Sequence, residues 1–178
     1  LLTTRSRSRS HRQTMTPVEF AVAFALVGVL LAIAVPTLAR EVRLSRFVEP
    51  VDGLRRMGAS AVAFASSHPI AQAFPPSSPL TPGAPPRGRC EVDPPGTWDT
   101  PTWIALDFRP SPPSVAHCFA FRFDSTLAPA QSTFRADAHG DLDGDGLTST
   151  FEVTGHAVEG DPRGPLLDRW MFVDSEVE

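Results

Sequence analysis

Residues 15 to 36 read Met-Thr-Pro-Val-Glu-Phe-Ala-Val-Ala-Phe-Ala-Leu-Val-Gly-Val-Leu-Leu-Ala-Ile-Ala-Val-Pro, an apolar stretch with a single carboxylate, Glu19, near its start. As a helix, Val18 to Val35 would extend roughly 27 Å against about 30 Å of bilayer hydrocarbon, so the segment spans a membrane if its flanks contribute. A carboxylate at the centre of such a helix costs about 2.5 kcal/mol or more, and an acid in this setting needs a partner or a function. Residues 1 to 14 carry Arg5, Arg7, Arg9 and Arg12 and no acid. The positive-inside rule keeps such a leader in the cytoplasm and sends the C-terminal bulk across. A secretory signal peptide is the alternative, with Ala34-Val-Pro-Thr-Leu-Ala39 as its small-residue cleavage region. That reading yields a soluble exported chain and leaves Glu19 without a role.

With Met15 as the first residue of a mature chain, Glu19 falls fifth, Gly28 fourteenth and Pro36 twenty-second, with small and branched apolar residues between. This pattern resembles the N-terminal segment of bacterial type IV pilins and pseudopilins, whose processed chains begin with Phe or Met and carry Glu at the fifth position. The resemblance covers residues 15 to 36. It departs at Thr14, where the family has Gly just before the cut. It implies processing between Thr14 and Met15 by a prepilin peptidase, methylation of the new amine, and an assembly role for Glu19. The implied fold is α+β, a type IV pilin-like lollipop in which a long N-terminal helix packs on a small antiparallel sheet. Implied partners are the inner membrane before assembly, then copies of the same chain or other pilins in an extracellular filament or a periplasmic type II secretion pseudopilus.

Every one of the 16 basic residues is Arg, and 19 residues are Pro. Without the four leader arginines, 12 basic residues face 20 acidic ones, a net charge of −8. An acidic exported domain argues against nucleic acid as a partner, because phosphate binding needs clustered Arg or Lys. The two cysteines, Cys90 and Cys118, both lie on the exported side, where an oxidising compartment makes a disulfide the default. Closing that loop would stabilise the fold by roughly 3 to 4 kcal/mol in the chain-entropy description. No Cys-x-x-Cys spacing suggests a redox pair.

Beyond the apolar stretch, Phe47, Val51, Leu54, Gly58, Ala61, Val62 and Ala65 recur at three- and four-residue spacing. One helix over Pro17 to Ala65 follows, with a spanning half at 15–38, an amphipathic half at 39–66, and weak points at Pro36 and Pro50. Residues 67 to 100 are rich in Pro, Ser and Gly and read as a connecting loop without helix or central strand. The remainder, 101–178, carries four strand-like runs: Thr102–Phe108, Ala116–Phe123, Ser132–Ala138 and Leu147–Thr154. In the second run Phe119, Phe121 and Phe123 share a face that packs inward, against the helix. Leu166–Val173 adds an edge strand or cap, and Trp98, Trp103 and Trp170 read as packing residues.

Asp141-Leu-Asp-Gly-Asp-Gly-Leu-Thr-Ser-Thr-Phe-Glu152 follows the twelve-residue calcium-loop pattern. Asp141, Asp143 and Asp145 stand at first, third and fifth, Gly146 at the sharp turn and Glu152 at twelfth. The carbonyl of Leu147 and a water on Ser149 would complete an oxygen shell for calcium. Thr148 replaces the usual aliphatic residue, and strand-like runs replace the flanking helices. The competing reading is an Asp- and Gly-rich turn whose carboxylates cap their own backbone. In the pilin-like reading the metal would hold a C-terminal loop, as in related filament subunits. The five histidines show no ligand spacing, and no motif supports an enzyme.

Overall fold

The computed structural model describes residues 16–168 and 172–174. The leader, the cleavage pair Thr14 and Met15, and Trp170 lie outside the described residues. The chain divides into two compact units, Leu1–Glu41 and Val42–Glu178.

The first unit consists of most of helix α1, Pro17–Ser45. Its stretch Pro17–Leu38, 22 residues, is long and apolar enough to cross a membrane. The large apolar side chains from Val18 to Leu38 are 51–72% exposed among the described residues. Pro36 leaves the carbonyl four residues earlier without its helical donor. Even so, the helix continues, and the Thr37 hydroxyl donates to the carbonyls of Ile33 and Ala34 at 3.0 and 2.9 Å beside the gap.

The helix predicted as continuous to Ala65 instead ends at Ser45, and α2 begins at Val48 and runs to Ser66. Pro50 accounts for the break. It has no N–H for the carbonyl of Arg46 and its ring crowds that turn, so the Arg46 carbonyl accepts from Glu49 N–H at 3.1 Å instead. Downstream, α2 buries Pro50, Gly53, Leu54, Met57, Gly58, Ala61 and Ala65. Gly53 is required by the closeness of the packing: a Cβ there would lie 2.8 Å from the Phe121 ring.

Three short elements precede the main strands. A single 3₁₀ turn at Ile70–Gln72 and edge strand β1, Ser78–Thr81, fall within the Pro-rich connection. At an edge, prolines cost no ladder bonds on the open side, which is why β1 tolerates Pro79. Residues Thr102–Phe108, read from sequence as a strand, overlap helix α3, Pro101–Ala105. Pro101 suits a first helical position. The end is closed by N–H of Phe108 to the carbonyl of Trp103 and N–H of Asp107 to that of Ile104, with Asp107 at φ 46°. This is a left-handed C-terminal cap with Asp in the place usually taken by Gly, which hides the helix from sequence reading.

The principal strands are β2, Phe119–Thr126; β3, Gln131–Gly140; and β4, Ser149–Val158, followed by β5, Leu166–Leu167, and β6, Phe172–Asp174. All pairings are antiparallel, in the order β1-β2-β3-β4-β5, with β6 also on β4. Strand β2 starts three residues later than the sequence run Ala116–Phe123, but its inward face is as read: Phe119, Phe121 and Phe123 are fully buried. They form the core with Leu54, Met57, Phe134 and Phe151, and Trp98 and Trp103 close it at one end. The fold class is α+β, as the sequence indicates.

Candidate functional site

Glu19 is one of the two residues in a reciprocal cap on α1. Thr16 N–H and the Thr16 hydroxyl donate to its carboxylate at 2.8 and 3.0 Å, and Glu19 N–H donates back to the Thr16 hydroxyl at 3.3 Å. Thr16-Pro-Val-Glu19 is therefore a capping box, which satisfies helix donors that a nonpolar surrounding would leave unpaired. The Thr-x-x-Glu spacing carries this role in the sequence itself, where the resemblance to pilins draws attention to assembly instead.

The acidic turn joins β3 to β4. Carboxylate oxygens of Asp141, Asp143 and Asp145 lie within 4.8 Å of one another. Asp141 is only 2% exposed and uses both oxygens, accepting from N–H of Gly144 at 2.7 Å and of Gly146 at 3.2 Å. Asp143 and Asp145 accept from N–H of Asp145 and Leu147. The turn is also held from outside, by Gly88 N–H on the Asp141 carbonyl at 2.8 Å.

The other three positions of the twelve-residue pattern are placed differently. The Ser149 hydroxyl is buried and donates to the Gly140 carbonyl at 3.1 Å. Leu147 lies exposed on the turn, its N–H engaged by Asp145. Glu152 pairs across the sheet with Asp137, and its carboxylate binds Arg135 at 2.8 Å. The reason is geometric. In a calcium loop the twelfth residue returns on the first turn of a helix, whereas here β4 starts at Ser149 and carries Glu152 three residues, roughly 10 Å, along an extended strand. Three aspartates converge, and Glu152 is paired with Arg135.

The turn geometry makes the Asp141 carboxylate a stabilising acceptor. Removing Asp141 would take the acceptor from the N–H groups of Gly144 and Gly146, so Asp141→Ala is expected to destabilise the protein by about 0.5–1.5 kcal/mol in EDTA. Thermal melting of the full chain in detergent checks this. A cation held by the three aspartates would add a further difference between variant and parent in millimolar calcium; equal stability of the two in EDTA would refute the capping role.

Two polar clusters went unread in the sequence. The first surrounds the bond between Cys90 and Cys118. Arg46 Nη1 lies 3.3 Å from Cys90 Sγ and 3.7 Å from Cys118 Sγ. Glu49, in the first turn of α2, accepts from N–H of Cys118 at 3.0 and 3.1 Å and of Phe119 at 3.1 Å. Burial pushes the Glu49 carboxyl above its ordinary range, against the pull of those two N–H groups. Beside it, buried His117 contacts Asp93 at 2.6 Å through Nε2 and the Phe119 carbonyl at 2.8 Å through Nδ1. Trp98 Nε1–H also donates to Asp93, on the floor of a cleft of about 450 Å³ between the 92–99 and 109–115 segments.

The second cluster centres on Asp137, whose side chain is 1% exposed on the sheet face opposite the Phe residues. Arg122 and Arg135 both bind it, and Arg135 extends the pairing to Glu152. Burial would raise the Asp137 carboxyl, but hydrogen bonds from His139, Arg135 and Arg122 prevail and hold it down to about 2. Neither cluster has a short linear spacing, because each is assembled across strands or between helix and sheet. The alternation of Arg122, Asp124, Arg135 and Asp137 was the one available signal.

Comparison of the chain with protein-family models, with curated proteins and with solved structures found no match.

Proposed function

We propose that this protein is a structural subunit of a type IV pilus-like filament, cut between Thr14 and Met15 and polymerised through its N-terminal helix with copies of itself or related subunits. The observation that supports this reading is the uncovered apolar surface of Pro17–Leu38, joined to a separate α+β unit. A helix apolar on every side is stable in lipid or against other apolar helices, and a filament core supplies the second once the first is left. A type II secretion pseudopilus would use the same helix in the same way. In either assembly the chain has a structural and not an enzymatic role.

The capping box favours a second reading, a membrane-anchored or exported binding module that never polymerises. There Glu19 serves only its own helix. Intact-mass measurement of the exported chain separates the two. Loss of residues 1 to 14 with one added methyl on Met15 is the expected result for a filament subunit. A retained leader, or cleavage near Ala39, would overturn it.

A further inference from the structure

We propose that the start of α2 is held to β2 by a two-point clasp, one point of which exists only while the disulfide is formed, so that reduction loosens the helix break locally. This inference concerns the unit Val42–Glu178 alone and is independent of the filament reading. The chain enters that unit and within a few residues meets the Arg46–Phe47 interruption, where Pro50 removes a helical hydrogen bond. Helix geometry therefore does not fix the entry to α2. Three contacts do: Arg46 on the two sulfurs, the Phe47 ring against Phe151 at 5.5 Å, and Glu49 on the N–H groups of Cys118 and Phe119.

Two of these converge on one residue. Cys118 supplies a sulfur to Arg46 and a backbone donor to Glu49, and its position just before β2 is set on one side by the strand and on the other by the bond to Cys90. Cys90 is tied to this end by that bond and, through its neighbour, by the isolated bridge of Glu91 to His117. Opening the bond frees Cys118 and Cys90 to separate and removes the paired acceptor from Arg46, while the contacts of Glu49 with the N–H groups of Cys118 and Phe119 remain. Strands β3 and β4, paired over ten residues, do not depend on it.

The chemistry is ordinary thiol exchange with a small dithiol. Its thiolate attacks Sγ of Cys90, the less buried of the pair, the S–S bond breaks, and Cys118 departs as a thiolate that takes up a proton. The second thiolate of the reductant then displaces Cys90, which is protonated likewise. The protein disulfide gains two electrons and two protons, and the dithiol closes to its own disulfide.

Hydrogen exchange of the full chain in detergent, with and without dithiothreitol, tests this. Reduction is expected to speed exchange at the amides of Cys118, Phe119 and Val51–Leu54 by about tenfold or more while the β3–β4 ladder is unchanged. Arg46→Ala in the oxidised protein should speed the same amides. Unchanged exchange at those sites on reduction would overturn the proposal, as would a loosening spread evenly over β3 and β4. No effect of Arg46→Ala would overturn it too, because the sulfur contact would then not be part of the clasp.

Discussion

Glu19→Gln is expected to leave the protein inserted and processed but to lower its incorporation into filaments by about tenfold or more, the effect of losing at least 1.4 kcal/mol of assembly free energy. The choice of Gln matters. At this position of a capping box Gln replaces Glu with its hydrogen bonds intact, so the helix start made by Thr16 and residue 19 survives. What disappears is the charge. In the proposed filament, cleavage would leave a positive amine on Met15, and within a packed core of apolar helices an unpartnered amine is strongly disfavoured, whereas one paired with a carboxylate is tolerated. Glu19→Ala should show the same assembly loss with an added helix-end cost of about 1 kcal/mol. Filament yield by shearing and immunoblot reads both. Normal assembly of Glu19→Gln beside poor assembly of Glu19→Ala would assign the residue to capping and reject a charge-based role.

Asp137→Asn is expected to cost about 2 kcal/mol of stability at pH 6 and almost nothing at pH 2. The folded carboxyl sits at about 2 against an ordinary value of 3.8, so the proton is held less tightly in the fold than out of it. The sign follows directly: the stabilisation is present above the unfolded value and is lost as pH falls through the folded one. A shift of nearly two units corresponds to about 2 kcal/mol. Asparagine keeps the shape but gives Arg122 and Arg135 no charge to bind. Urea titrations of parent and variant across pH 6 to 2 should therefore converge in acid. A difference that stays constant with pH would show that packing, not the ion pairs, is at stake. Glu49 acts in the opposite direction. Its raised carboxyl favours the fold at low pH and withdraws that contribution as pH rises through the folded value, so the Asp137 term is best read as the difference between variant and parent.

The amino-acid sequence determined the elements whose signals are local or periodic. Residues Pro17–Leu38 are helical as their run of apolar residues indicates, and their large apolar side chains are exposed. The alternating phenylalanines of β2 face the core because strand side chains alternate, and the antiparallel α+β class follows from strands joined by short turns. The three convergent aspartates were readable for the same reason, since they sit two residues apart on a single turn.

Tertiary structure decided the rest. Pro36 and Pro50 carry the same local chemistry, yet α1 passes through the first, while the break falls just before the second, where Arg46 meets the disulfide sulfurs, Phe47 meets Phe151 and Glu49 meets the N–H groups of Cys118 and Phe119. Thr102–Phe108 has a strand-like composition, but its Trp103 and Leu106 reach the core at helical spacing and Asp107 accepts the left-handed cap. Glu152 matches a calcium-loop position by count alone; an extended β4 takes it to Arg135, because distance along a strand grows at about 3.3 Å per residue where a helix would turn back. The Asp137 and Glu49 clusters join residues as far apart in sequence as Glu49 and Phe119. Burial makes such pairings strong, and burial is a property of the packed chain and not of any segment of it.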